Sequence, residues 1–238
     1  MIKLPDSVKL EILEHAKRSF PQEACGLVAI VKGRKKYFEC KNLAETSDEH
    51  FILDSQDYQA VEEKGEIFAV IHSHPKTNAE PSQADRVACE KSGLPWFIVN
   101  PQTEQWAYCE PVGLELPYVG REFVFGVVDC YSLCRDWYKK EFGLNLTDYE
   151  RRDQFWLRGE NLYLDNFAKE GFYRIPFKEV QYGDLILMNL QSPLPNHGAI
   201  YLGDQLILHH VQGRLSSRDV YGGYYAKSTT CVVRHENR

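Results

Sequence analysis

Two groups of side chains in this 238-residue sequence have the types and spacing to do chemistry. The first lies in the string HSHPKTNAEPSQAD, where His72 and His74 are one residue apart and Ser82 and Asp85 follow. On a strand, positions i and i+2 face the same side, so the two imidazoles converge. Imidazole and carboxylate are zinc ligands, and three protein ligands with an open fourth position make a centre able to activate water. Pro75 stops the strand, the loop to Ser82 turns the chain, and a helix starting at Ser82 carries Asp85 on its first turn, back toward the histidines. The plainer alternative is a capping box, in which Ser82 and Asp85 only satisfy free backbone N–H groups, and H-x-H alone also occurs at ordinary strand ends.

The second group begins at Cys130, which follows an apolar stretch and sits at the expected first turn of a helix. There the helix dipole and free N–H groups favour the thiolate, the reactive form of cysteine. A thiol nucleophile needs a base. His197 opens one expected strand, while His209 and His210 close the next across a Gly-Asp turn, so a hairpin makes His197 the neighbour of one of them. Adjacent strand residues face opposite ways, which leaves only one of His209 and His210 for this role. The alternative is a buried, inert Cys130 with histidines that merely edge a sheet. Cys134, one turn further along the same helical face, fits the core.

These residues need elements to hold them. Residues 6–19 suit a helix entered at Asp6, GLVAIV and KYFEC suit strands around a KGRK turn, and Asp54 to Gly65 reads as a helix. EIFAVIHSH reads as a strand, SQADRVACEKSG as a helix, and WFIV with QWAYC as a strand pair around Asn-Pro. After the Pro- and Gly-rich CEPVGLELPYVG the pattern changes. DCYSLCRDWYKKEFG and LYLDNFAKEGF read as helices, followed by consecutive strands GDLILMNL, HGAIYLG, QLILHHV and TTCVVR. The expectation is therefore two domains, residues 1–112 with a mixed α/β layer and residues 113–238 of α+β type.

Composition narrows the function classes. The seven cysteines have no paired CxxC spacing, so neither a zinc ribbon nor a disulfide framework is suggested, and most should be buried thiols. The net charge of −6 is spread as −5 over residues 1–110 and −1 over residues 111–238, without the basic field that nucleic-acid binding requires. No apolar run approaches the roughly 20 residues of a membrane span. The N-terminus lacks a signal peptide's apolar core, which leads to the expectation that the chain is made in the cytoplasm and remains there unless a partner carries it out.

The string H-S-H-P followed by S-x-x-D resembles the JAMM metalloprotease motif, and PQEACGLVAI supplies a glutamate in the matching upstream context. The resemblance covers about residues 1–110. It implies that His72, His74 and Asp85 bind Zn2+, that Glu23 is the general base for zinc-bound water, and that Ser82 helps stabilise the oxyanion.

The second half resembles the NlpC-type cysteine peptidases of papain-like fold, through D-C at a helix start, YGDLILM, and H-x-x-I-Y-L-G with a polar third residue. The resemblance implies Cys130 as nucleophile and His197 as base. The family spacing of 12 residues from base to third member selects His209. Tyr118, 12 residues before Cys130, matches a tyrosine that lines the family's site, and the Cys130 backbone N–H would add to the oxyanion hole. The sequence departs from the usual D-C-S-G by placing Tyr131 beside the nucleophile, which bears on the shape of the substrate pocket. The family's usual substrate is the peptidoglycan stem peptide, cut at the γ-D-glutamyl to diamino-acid bond.

A JAMM half followed by an NlpC half resembles the tail-tip assembly proteins of lambda-like bacteriophages. That resemblance implies phage tail-tip proteins as partners, host cytoplasm as the place of assembly, and delivery by the tail to the cell wall to aid DNA entry. The zinc half would process a tail component. Two other readings compete: a structural assembly factor with one or both sites idle, and a bacterial enzyme that trims ubiquitin-like tags.

Overall fold

Alternation along the strand bearing His72 decides which elements can reach it. In the computed structural model, which describes residues 3–151 and 154–238, the chain forms two units, Met1–Leu114 and Glu115–Arg238, described separately below. The first unit opens with helix α1 (Asp6–Ser19) and the hairpin β1 (Cys25–Val31) and β2 (Arg34–Cys40). Then come α2 (Ser55–Glu62), β3 (Glu66–Ser73), α3 (Gln83–Ser92), β4 (Trp96–Val99) and β5 (Trp106–Cys109). The five strands order as β2-β1-β3-β4-β5, with β3 and β4 parallel and the other neighbours antiparallel.

Both faces of this sheet are covered, because apolar residues of β1 and β3 serve each side in turn. Val28, Ala69 and Ile71 pack in one cluster with Val8, Ile12 and Ala16, the i, i+4, i+8 stripe of α1. Leu27 and Val70 pack on the other face with Val61 of α2 and Cys89 of α3. His72 has the parity of Val70, and its ring stacks on Phe51 at 4.7 Å and meets Trp96 edge-on at 5.4 Å. The strand therefore delivers His72 to the face that α3 covers.

The second unit contains α4 (Cys130–Phe142), α5 (Leu162–Asn166), β6 (Phe172–Ile175), β7 (Leu185–Met188), β8 (His197–Gly203), β9 (Leu206–His209), β10 (Ser217–Val220), α6 (Gly223–Lys227) and β11 (Thr229–His235). Its antiparallel sheet has the order β10-β9-β8-β7-β11-β6. Helix α4 packs on β8 and β9, and its Leu133, Cys134, Trp137 and Tyr138 share a core with Leu185, Ile200, Leu208 and Val233. Two strands, β6 and β10, have no counterpart in the sequence reading. The helix expected over LYLDNFAKEGF ends at Asn166, since Gly171 adopts φ +83° and Phe172 enters the sheet beside His235. All seven cysteines are free and buried. Among the described residues no helix is long and apolar enough to cross a membrane.

Candidate metal centre and cysteine site

His72 is the penultimate residue of β3 and His74 follows that strand directly; Asp85 lies on the first turn of α3, in an element brought alongside by the loop after Pro75. The three meet. His72 Nε2 and His74 Nε2 are 3.0 Å apart, and they lie 3.2 and 3.3 Å from the two oxygens of Asp85. All three potential ligand atoms fall within 4.8 Å of one another, and all three residues are buried.

Hydrogen bonds fix this arrangement from behind. His74 Nδ1 lies 2.9 Å from the carbonyl of Asn78, which requires the proton on Nδ1 and leaves the Nε2 lone pair facing the cluster. Ser82 caps α3: its hydroxyl accepts from the Asp85 N–H at 3.1 Å and lies 2.7 Å from Asp85 Oδ2, which also accepts from the Ser82 backbone at 2.7 Å. The capping reading and the ligand reading thus coexist, with the cap aiming the carboxylate.

The donor set is compatible with a bound metal ion. Two imidazole nitrogens and a carboxylate oxygen, all electron-pair donors, gather round one point, where a shared cation is the natural partner. Burial leaves His72 below its ordinary pKa; at His74 burial also acts downward, but the bond and charge of Asp85, with the Asn78 carbonyl and Glu23, together raise it. Burial would push the Asp85 carboxyl up, but hydrogen bonds with His72 and His74 hold it well below the usual carboxylate range.

Glu23 precedes β1 and is 7% exposed. Its carboxyl is pushed up to about 8, first by burial; His74 acts against this, and Asp85 and Asp48 add to it. Those couplings place Glu23 within electrostatic reach of the cluster. A groove of about 670 Å³ is lined by His15, Glu23, Cys25, Glu39 and Asn42, and neither His72 nor His74 lines it.

In the second unit, Asp129 starts α4 with a capping box: its side chain accepts from the Ser132 N–H at 2.8 Å, and Ser132 Oγ accepts from the Asp129 N–H at 2.7 Å. Arg151 donates to Asp129 at 2.7 Å from a nearly buried position, which neutralises the carboxylate next to the thiol. Cys130 is thereby fixed as the first residue of the helix.

The thiol lies 3.2 Å from the hydroxyl of Tyr163, on α5, and beside the backbone of Gly198, the neighbour of His197. Gly198 lets that tyrosine approach: a Cβ there would lie 3.3 to 3.4 Å from the Tyr163 ring and hydroxyl. Burial, with Asp129 adding, pushes the thiol up to about 11; the Tyr163 bond, the Gly198 backbone and Arg151 act the other way.

His197 and His209 meet across the β8–β9 hairpin, with His197 Nε2 3.1 Å from His209 Nδ1. His209 Nε2 in turn lies 3.1 Å from Asp219 Oδ2 on β10. Burial keeps His197 well below its ordinary pKa. His210 faces elsewhere, edge-on to Phe123 at 5.0 Å.

One expected site residue does not join the others. Tyr118 bonds Glu141, at the C-terminal end of α4, at 2.9 Å, whereas Cys130 is at the N-terminal end of that helix. Eleven helical residues, about 16 Å of rise, separate the two ends. The family resemblance pointed to Tyr118; the hydroxyl that lies on the thiol is that of Tyr163. Tyr163 and Asp219 escaped sequence reading because each reaches the site from a short element distant in the chain.

Two family models match the sequence: prokaryotic homologs of the JAB domain over residues 5–109 and the NlpC/P60 family over residues 120–234. The chain is 38% identical over 230 residues to the tail tip assembly protein K of Escherichia phage N15, with 95% of this chain and 93% of that protein covered. It is 39% identical over 183 residues to the tail tip assembly protein K of Escherichia phage lambda, covering 77% and 89% respectively. The chain is also similar over a shorter stretch to the CysO-cysteine peptidase of Mycobacterium tuberculosis, 37% identical over 82 residues, or 31% of this chain and 56% of that protein.

Proposed function

Because the chain belongs to the tail tip assembly protein K family, we propose that it is a tail-tip peptidase with two hydrolytic sites, a zinc site in residues 1–112 and a cysteine site in residues 113–238. The observation that supports this reading best is that each unit gathers its own set of reactive side chains, His72, His74 and Asp85 in one, and in the other Cys130 beside the backbone of Gly198, whose neighbour His197 pairs with His209.

In the cysteine site His197 takes the thiol proton, and the thiolate attacks the scissile carbonyl. The developing oxyanion is met by the Cys130 backbone N–H, one of the free donors of the first turn of α4. The substrate is the peptidoglycan stem peptide, opened at the γ-D-glutamyl to diamino-acid bond so that DNA can enter. Tyr131 packs edge-on against Tyr163 at 6.0 Å, so the residue that replaces a small one beside the nucleophile shapes the pocket next to it.

In the zinc site His72, His74 and Asp85 would hold the ion, which when bound polarises a carbonyl and acidifies water. Glu23 is the base that accepts the proton and returns it to the leaving amine. Ser82 orients Asp85 and is the nearest hydroxyl on that ligand. Its substrate is a tail component processed during assembly, with other tail-tip proteins as partners and the virion tail as the destination.

The decisive experiment is mass spectrometry of defined muropeptides incubated with the full chain and with Cys130→Ala. Wild type should cut the γ-D-glutamyl to diamino-acid bond and Cys130→Ala should leave it intact; cleavage by the variant would falsify the assigned nucleophile. The buried, protonated thiol at rest is the feature that favours a non-catalytic assembly factor. No cleavage by wild type, with normal tails from a variant lacking both sites, would establish that second reading.

A further inference from the structure

The hydrogen bonds beyond His209 carry information about which nitrogen of His197 is basic. Three side chains on three adjacent strands form a line: His197 on β8, His209 on β9 and Asp219 on β10. We propose that Asp219 is a positioning residue that sets the tautomers of both histidines and so makes His197 Nδ1 the nitrogen that receives the Cys130 proton. The inference rests on the cysteine-peptidase reading of this unit.

The argument starts from the end of the line. An ionised carboxylate can only accept hydrogen bonds. Asp219 Oδ2 lies 3.1 Å from His209 Nε2, so that nitrogen carries a proton. In a neutral ring the other nitrogen, Nδ1, is then an acceptor, and it lies 3.1 Å from His197 Nε2. That contact needs a proton on His197 Nε2. The remaining nitrogen of a neutral His197, Nδ1, therefore holds the lone pair.

The surroundings of Asp219 support this direction. Its carboxylate also faces Ser217 Oγ at 3.1 Å, the Tyr225 hydroxyl at 3.1 Å and Arg214 at 3.2 Å, all of them donors here. Burial, the largest influence, keeps His209 below its ordinary pKa; Asp219 acts the other way without overcoming it, and Arg214 adds to the lowering. Asp219 thus fixes where a proton sits more than it adds one.

In the reaction the S–H bond of Cys130 breaks and an N–H bond forms at His197 Nδ1, giving thiolate and imidazolium. His197 Nε2 keeps its proton and its bond to His209 throughout. Without Asp219, His209 is free to carry its proton on Nδ1 and donate it to His197 Nε2. The His197 proton then moves to Nδ1, where it blocks transfer from the thiol.

The test uses the full chain labelled with ¹⁵N-histidine, with His197 and His209 assigned by single substitution. Both rings in the wild type should be protonated at Nε2 and bare at Nδ1 when neutral; a proton on His197 Nδ1 would overturn the proposal without any variant of Asp219 being needed. In Asp219→Leu the two rings should show mixed tautomers, and alkylation of Cys130 by iodoacetamide at neutral pH, read by peptide mass, should slow about tenfold or more. Unchanged tautomers and an unchanged rate in Asp219→Leu overturn it, provided His197→Gln is slow. If His197→Gln alkylates at the wild-type rate, it is the pairing of base with nucleophile, and with it the peptidase reading, that fails.

Discussion

Tyr163 touches the Cys130 thiol, and its hydroxyl lowers the thiol pKa against the burial that raises it. A hydrogen bond to a charged partner contributes about 1.5–3 kcal/mol, so Tyr163→Phe should reduce the thiolate fraction roughly tenfold to a hundredfold. Iodoacetamide alkylation of Cys130 at pH 8 should slow by that factor, and an unchanged rate would remove the tyrosine from the site. At this scale the sequence was legible where the chemistry is local. His72, His74, Ser82 and Asp85 fall within one loop and its two flanking elements, and their types and spacing already implied the geometry now seen. Tyr118, matched to a tyrosine of the family's site by its spacing before Cys130, has its hydroxyl on Glu141, toward the C-terminal end of α4, a position that spacing along the chain does not determine.

Elements explain why those residues stay where they are. The start of α4 is tied twice, by the Asp129–Ser132 capping box and by Arg151, whose guanidinium also donates to the Gly126 carbonyl at 3.0 Å and to Asp148 at 3.0 Å. Arg151→Met would leave Asp129 charged and buried without its partner. Such a loss costs about 3–5 kcal/mol, and denaturant unfolding of the full chain should show it as an earlier midpoint for the second unit. A midpoint shift well below that range would mean that other groups satisfy Asp129. The helix itself was readable from DCYSLCRDWYKKEFG, with Cys130 on its first turn. Strand β10 was not: SRDV alternates without an apolar core of its own, and its place in the sheet comes from pairing with β9, Ser217 opposite His209. Asp219 went unseen with it.

For the whole molecule, the two donor sets belong to different units and use different chemistry, so they should respond to different perturbations. The purified chain should hold about one zinc ion, lose it in His74→Ala and keep it in Cys130→Ala, as measured by atomic emission. A chelator should lower the melting temperature of the first unit, since a ligand that binds only the folded form stabilises it by mass action. Full zinc occupancy in His74→Ala would rule out this ligand set. The division into two domains was legible in the Pro- and Gly-rich stretch near residue 115 and in the change of pattern beyond it, because composition shifts where one core ends and another begins.

The hairpin that joins His197 to His209 has a consequence for how this chain can vary. Strand β9 ends at His209 and His210 follows it directly, and their side chains alternate, His209 toward His197 and His210 toward Phe123. The turn from Gly203 through Gln205 runs entirely at positive φ. One residue more or fewer in it would shift the pairing by one place and exchange the two histidines, so that the base would face the wrong ring. The turn can therefore change in kind but not in number: its length holds the His197–His209 pair together, although none of its side chains touches either ring.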